Sequence, residues 1–221
     1  MFLNDGALPT HRRVIDRRRN SVLLLNSEMD NYEMIIAAER QFAREVTLGV
    51  IVQRQPSVWH YLLPGMFIID FLQRTSAISR YTKYFMLPRK LSIDAARHLL
   101  QGYDESAEHS RIAAEIEKWL NSLHLYSTRL AGSQQHAIDI MIDHYTKLLS
   151  AEGGSHLELI ENAYGSREAY EALVRELASA EAEIDQAIIE KMGSNDKIKE
   201  KLRLEAQQVE LRRSKVLENI F

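Results

Sequence analysis

The sequence predicts an all-α protein, a helical bundle of about six or seven helices with a C-terminal antiparallel αα-hairpin. Three observations predict it. Glycine and proline are scarce, 9 and 4 in 221 residues, so few positions interrupt a helix. Apolar residues recur at spacings of three and four, the period of a helix face, and no run alternates as a half-buried strand does. Hydrophobic residues make up 45% and charged residues 27% of the chain, which suits one substantial core and argues against disorder.

The elements follow in order. Residues 1–20 form a basic N-terminal arm, and 21–221 form a single helical domain. Residues 28–48 place Tyr32, Ile35, Phe42 and Val46 on one stripe of an amphipathic helix. Gly49 and Pro56 bracket the short apolar stretch 50–52. Pro64 suits the first turn of a helix that runs until Pro88 ends it, with Phe67, Phe71, Ile78, Tyr81 and Phe85 along one side. Ser92 is a candidate cap for a short helix to about residue 101, and Asp104 for another to about Leu123, ended by the polar stretch 126–132.

In the last third, Ser133 is a candidate cap for a helix that stops at Gly153 and Gly154. Ser155 and Glu158 have the spacing of a capping box, in which each side chain satisfies an otherwise free amide, and Gly165 stops the helix that follows. Over 167–191, Tyr170, Leu173, Leu177, Ala180, Ile184 and Ala187 form a heptad-like, coiled-coil seam. Residues 193–196 supply a stop and a new cap. The final helix, about 197–219, turns Ile198, Leu202, Val209 and Val216 inward, and so short a turn predicts an antiparallel hairpin over 166–221. No repeat of 20–50 residues indicates a solenoid.

The formal net charge of −3 hides an asymmetry. Residues 1–93 carry 13 Lys and Arg against 8 Asp and Glu, and residues 94–221 carry 15 against 23, so the two parts face different partners or each other. The chain has no cysteine, which excludes disulfides, thiol nucleophiles and thiolate-ligated metals and fits a cytoplasmic location. The polar and basic opening, MFLNDGALPTHRRVIDRRRN, lacks the apolar core of a secretory signal.

Enzymatic motifs are absent: there is no nucleophile elbow, phosphate-binding glycine loop or dinucleotide fingerprint. His136, Asp139 and Asp143 share one helix face by spacing. With Glu39, which falls inside the apolar stripe of the first helix, they define an alternative function as a metal-binding helical-bundle enzyme or storage protein. No Glu-x-x-His is present, the motif that a di-iron carboxylate bundle repeats on two helices, and a solvated face explains the three residues more simply. Glu105, Glu108 and His109 fit the acidic opening turn of a helix. No cofactor is expected.

Two features suggest partners. HRRVIDRRR at 11–19 concentrates Arg12, Arg13, Arg17, Arg18 and Arg19, which suits an anionic partner. It has no interleaved aromatics and no recognition helix, so nucleic acid is not the expected partner. The second feature is VWHYLLPGMFIIDFLQR at 58–74. Between residues 46 and 93 the only acid is Asp70 among six basic residues and seven aromatics, the composition that a membrane interface selects. The run is too short and too interrupted by His60 and Asp70 for a spanning helix of about 20 apolar residues.

The pattern P-x-x-W-x-x-x-L-P-x-x-F-x-x-x-F-L from Pro56 to Leu72, followed by Pro88-Arg89-Lys90-Leu91, resembles an uncharacterised bacterial helical family over about residues 30–100. That resemblance implies no function.

These features together predict a non-catalytic, peripherally membrane-associated helical scaffold or complex subunit, cytoplasmic and at the inner face of the membrane. Trp59, Tyr61, Phe67, Ile68, Phe71, Leu72, Arg74, Arg80 and Lys83 are the expected contacts to an anionic membrane surface or a membrane-protein complex. Helical faces left over by the core would serve a homo-oligomer.

Overall fold

A computed structural model describes the backbone at residues 10–52 and 66–221 and the side chains at 30–51, 76 and 78–221. The described residues form seven α-helices and no strand: α1 (Thr10–Val52), α2 (Met66–Leu100), α3 (Glu105–Ser122), α4 (Thr128–Ser150), α5 (His156–Tyr164), α6 (Arg167–Met192) and α7 (Asp196–Ile220).

Helix α4 is the centre of the bundle. From Ala137 to Leu149 its buried residues fall on nearly every side, including Ile138, Ile140, Met141, Ile142, Tyr145 and Leu148, the pattern of a helix enclosed by neighbours. Helices α1, α2, α3, α5 and α6 all pack on it. The main core adds Ile35 and Ile36 of α1, Ile93 and Ala96 of α2, Ile112, Ile116 and Leu120 of α3, and Leu159 and Ile160 of α5.

Residue pairings fix the direction of each helix. Phe42 stacks on Phe85, Glu39 meets Arg89 and Tyr32 donates to Asp94, so α1 and α2 are antiparallel. Arg129 meets Glu190 and Ala137 lies in one cluster with Ala180, so α4 and α6 are antiparallel too. Gly49 abuts Gln208 and Glu45 meets Arg212, which runs α7 against α1. The result is an up-down arrangement in which the C-terminus of α1 and the N-terminus of α2 point to the same end as the turn 123–127 and the turn 193–195, an end here called the tip.

Local signals account for most helix ends. Asp104, Ser155 and Asn195 cap α3, α5 and α7 as their positions predict, and Gly165 ends α5 with a positive φ of 67°. The capping box is offset by one residue: Ser155 accepts from the Glu158 amide, but the Glu158 carboxylate accepts from the amide of Gly154, at 2.8 Å. Asn31 supplies a cap from afar, donating to the carbonyls of Leu149 and Ala151 at the C-terminus of α4.

Four boundaries differ from expectation. Helix α1 starts well before residue 28, so the basic segment at 11–19 lies within it, and it runs through Gly49. A Cβ at Gly49 would lie 2.0 Å from the Gln208 amide oxygen, so glycine here allows α7 to come close. Helix α2 continues through Pro88 to Leu100, because both sides of the proline are anchored: Arg89 donates to the Phe85 carbonyl and stacks on its ring, and Ile93, Ala95 and Ala96 are fully buried. Ser92 is therefore no cap but a buried mid-helix residue whose hydroxyl donates to the Pro88 carbonyl at 2.8 Å. Ser127, not Ser133, caps α4, its hydroxyl accepting from the Leu130 amide.

The C-terminal pair α6 and α7 is antiparallel, joined at Gly193–Asn195. Its heptad-like seam, however, serves another partner. Leu173, Leu177 and Ile184 pack with Ala137 and Ile140 of α4, while α7 packs more extensively on α1 than on α6. The hairpin is thus splayed, and space remains between its arms.

Candidate functional site

That space is occupied by charge. Glu39 enters from the apolar stripe of α1, Arg89 from α2, Glu181 and Asp185 from α6, and Glu205 and Arg213 from α7. Arg89 Nε lies 3.0 Å from Glu39, its Nη2 lies 3.9 Å from Glu181, and its guanidinium carbon sits 3.9 Å from the centre of the Phe85 ring. Arg213 grips Glu181 with two hydrogen bonds of 2.7 and 2.8 Å, the bidentate geometry to which a guanidinium is suited. Tyr81 donates a hydrogen bond to Glu205.

Two cavities flank this network and share Arg89, Met141, Leu177 and Arg213 as a common wall. The first, about 450 Å³, lies between α2, α4, α6 and α7; Tyr84, Ala182, Ala206 and Glu210 are its exposed lining residues and mark its mouth. The second, about 530 Å³, lies on the α1 and α5 side and is lined by Glu39, His144, Tyr145, His156 and Tyr170 among others.

Burial is the main influence on proton affinity in both. In the first cavity it pushes the Asp185 carboxyl up to about 6, with Glu205 and Glu181 adding to the shift. Burial also raises Glu205, against the opposing hydrogen bond from Tyr81 and charge of Arg89, and raises Tyr81. In the second cavity burial pushes His144 down to about 3, so its imidazole is neutral and shares a 2.8 Å hydrogen bond with the Tyr164 hydroxyl. His156 is lowered by burial, and its Nε2 is buried without a hydrogen-bond partner. Burial, with Glu39 nearby, keeps Tyr145 and Tyr170 firmly protonated.

The residues expected from sequence fare differently. Trp59 and Tyr61 lie outside the described residues, as do the side chains of Phe67, Ile68, Phe71, Leu72 and Arg74 at the start of α2 and of Arg12, Arg13, Arg17, Arg18 and Arg19 early in α1. Arg80 and Lys83 are exposed on α2. Glu39, His136, Asp139 and Asp143 are not brought together. Glu39 is held by Arg89 inside the bundle, His136 and Asp143 are exposed, and Asp139 accepts from Gln135 and faces His109 at 3.4 Å. Among the described residues no group of three or more His, Asp or Glu could hold a metal ion. Glu108 is a structural residue: burial opposes its charge, but Arg111 and His98 hydrogen bonds hold its carboxyl below the usual value.

Sequence reasoning singled out Glu39 but missed the rest of the charged network. The available signal was the same as for Glu39, a charge within an apolar stripe. Glu205 falls between Leu202 and Val209, and Arg213 between Val209 and Val216, at helical spacings of three and four.

No protein-family model, curated protein or solved structure matches the chain, so function rests on its residues. No helix among the described residues is long and apolar enough to cross a membrane.

Proposed function

We propose that the protein is a non-catalytic helical scaffold or complex subunit that associates peripherally with an anionic membrane surface through the tip of the bundle. The observation that supports this reading is the company the apolar segment keeps. The C-terminus of α1 and the N-terminus of α2 point to the same end as the turns 123–127 and 193–195. There Tyr126 and Met192 are exposed apolar side chains, and Lys191, Lys197, Lys199 and Lys201 are exposed together with Glu190, Asp196 and Glu200. Aromatic and apolar anchors beside lysines are what the headgroup region accepts, each nearby cation contributing about 1 kcal/mol of attraction.

The geometry also divides the two features that the sequence suggested. Arg19 and Val52 are separated by about 50 Å along α1 at 1.5 Å per residue, and the basic segment lies at the end away from the tip. End-on contact through the tip therefore leaves the arginines to a different anionic partner.

Co-sedimentation with anionic phosphatidylglycerol vesicles at low salt tests the proposal. The wild type is expected to pellet, Phe67→Glu with Phe71→Glu to remain in the supernatant, and replacement of the five arm arginines by Ala to leave pelleting unchanged. Wild-type protein that stays wholly in the supernatant overturns membrane association, and loss of binding in the arm variant overturns its end-on geometry.

A further inference from the structure

The cavity between α2, α4, α6 and α7 holds more acid than its bases neutralise. Arg213 is committed to Glu181, and Arg89 is divided between Glu39 and Glu181. Glu205 is hydrogen-bonded by the uncharged hydroxyl of Tyr81. Asp185 lines the cavity and makes no hydrogen bond or ion pair with any described residue. A half-buried carboxylate left this way costs stability, and such a cost is tolerated where a ligand offsets it.

The rest of the wall defines that ligand. Leu177, Ile184, Ile188 and Val209 make much of it apolar, and the aromatic side chains of Tyr81 and Trp119 line it too. The Trp119 indole N–H is buried with no acceptor. An anion would add to the acid surplus, and a neutral apolar molecule would leave Asp185 unpaired. A metal dication lacks the ligand set, since no group of three suitable side chains gathers among the described residues. An ammonium group on an apolar body meets every requirement: the charge pairs with carboxylate, the aromatic side chains attract it, and the body fills a volume typical of small-molecule sites.

We infer that this cavity binds an organic cation, with Asp185 and Glu205 as its counter-ions and Tyr81 and Trp119 as its aromatic wall. The ligand enters between Ala182 of α6 and Ala206 of α7, past Tyr84. An acceptor on its body, such as a hydroxyl, satisfies the Trp119 N–H. The site lies in the body of the bundle and is independent of membrane contact at the tip.

Three probes of similar size separate charge from shape: benzyltrimethylammonium, benzyl alcohol and benzenesulfonate, titrated calorimetrically into the full chain at pH 7.5. The cation is expected to bind saturably and at least tenfold more tightly than either of the others. Asp185→Asn, which keeps the side chain's shape, is expected to weaken it at least tenfold. Ala206→Trp, a substitution at the exposed mouth that leaves the core intact, is expected to block it. The inference is overturned by benzyl alcohol or benzenesulfonate binding as well as the cation, or by unchanged affinity in both variants. It is also overturned if the cation gives no saturable heat up to about 10 mM, a decade beyond the millimolar affinity a fragment of this size reaches.

Discussion

Arg89 and Glu39 join α1 to α2 through an ion pair of 3.0 Å in which both side chains are nearly withdrawn from solvent, 8% and 14% exposed. The pair stands where Phe42 and Phe85 stack, and the guanidinium lies over both rings. Charges so placed gain little over an apolar replacement, whereas removing one partner strands the other. Arg89→Met is expected to cost about 3–5 kcal/mol, and adding Glu39→Gln to recover a large part of it. Urea unfolding of the four proteins in the cycle measures this, and strictly additive costs would show that the two residues do not act as a pair.

The surplus carboxylate in the first cavity has a pH signature. Asp185 titrates near 6 in the folded protein, above the ordinary aspartate value of 3.8, through burial first and then Glu205 and Glu181. Arg213 of α7 and Tyr81 and Arg89 of α2 also border the cavity. Between the two values the folded state holds a proton that the unfolded chain has released. The stabilisation is therefore complete below about pH 4 and is lost as pH rises towards 6. Asp185→Asn should raise Tm at pH 7.5 by about 2–4 °C and lose that advantage at pH 4. An equal advantage at both pH values would refute the assignment.

His144 works in the opposite direction over the same range. Its folded-state value near 3 lies below the ordinary 6.5, with burial the main cause. The unfolded chain thus takes up the proton first, and stability drains away as pH falls below about 6.5. In NMR spectra the His144 ring signals should stay fixed from pH 8 to 5. A His144 midpoint near 6.5 would mean that water reaches the ring.

Asn31 donates to two carbonyls at the end of α4, 3.2 Å to Leu149 and 2.8 Å to Ala151. Asn31→Ala leaves these acceptors without their donor and is expected to cost about 1–3 kcal/mol. Asn31→Asp should cost more at pH 7, because a carboxylate then faces two carbonyl oxygens, and should recover at pH 4 as it gains a proton. Thermal melts of both variants at the two pH values decide it; an Asp variant as stable as wild type at pH 7 would be contrary evidence.

How much of this was legible depended on the range of the cause. Asp104, Ser155, Gly165 and Asn195 act on residues within one turn, so the sequence displays the whole interaction. Pro88 and Ser92 were misread because their role is set by α1 and α4, which bury that part of α2 on both sides. Ser133 has the right residue type for a cap, but Ser127 lies nearer the real end of the turn after α3. The network around the cavities was harder still. Glu181 and Asp185 sit one residue after the seam positions Ala180 and Ile184, where a solvated charge is the ordinary expectation. Only the splaying of α6 from α7, a consequence of α6 packing on α4, turns them inward.

The alternation of helix direction has an electrical consequence. The C-termini of α1, α3 and α6 and the N-termini of α2, α4 and α7 all point towards the tip, so three helix dipoles oppose three others along the bundle. The opposed dipoles offset one another over the length the helices share, and the charged side chains of the tip supply a field of their own. Such a field is screened within about 8 Å at physiological salt and can be erased by neutralising lysines. Attraction at this end is thus adjustable by ionic strength or by lysine modification.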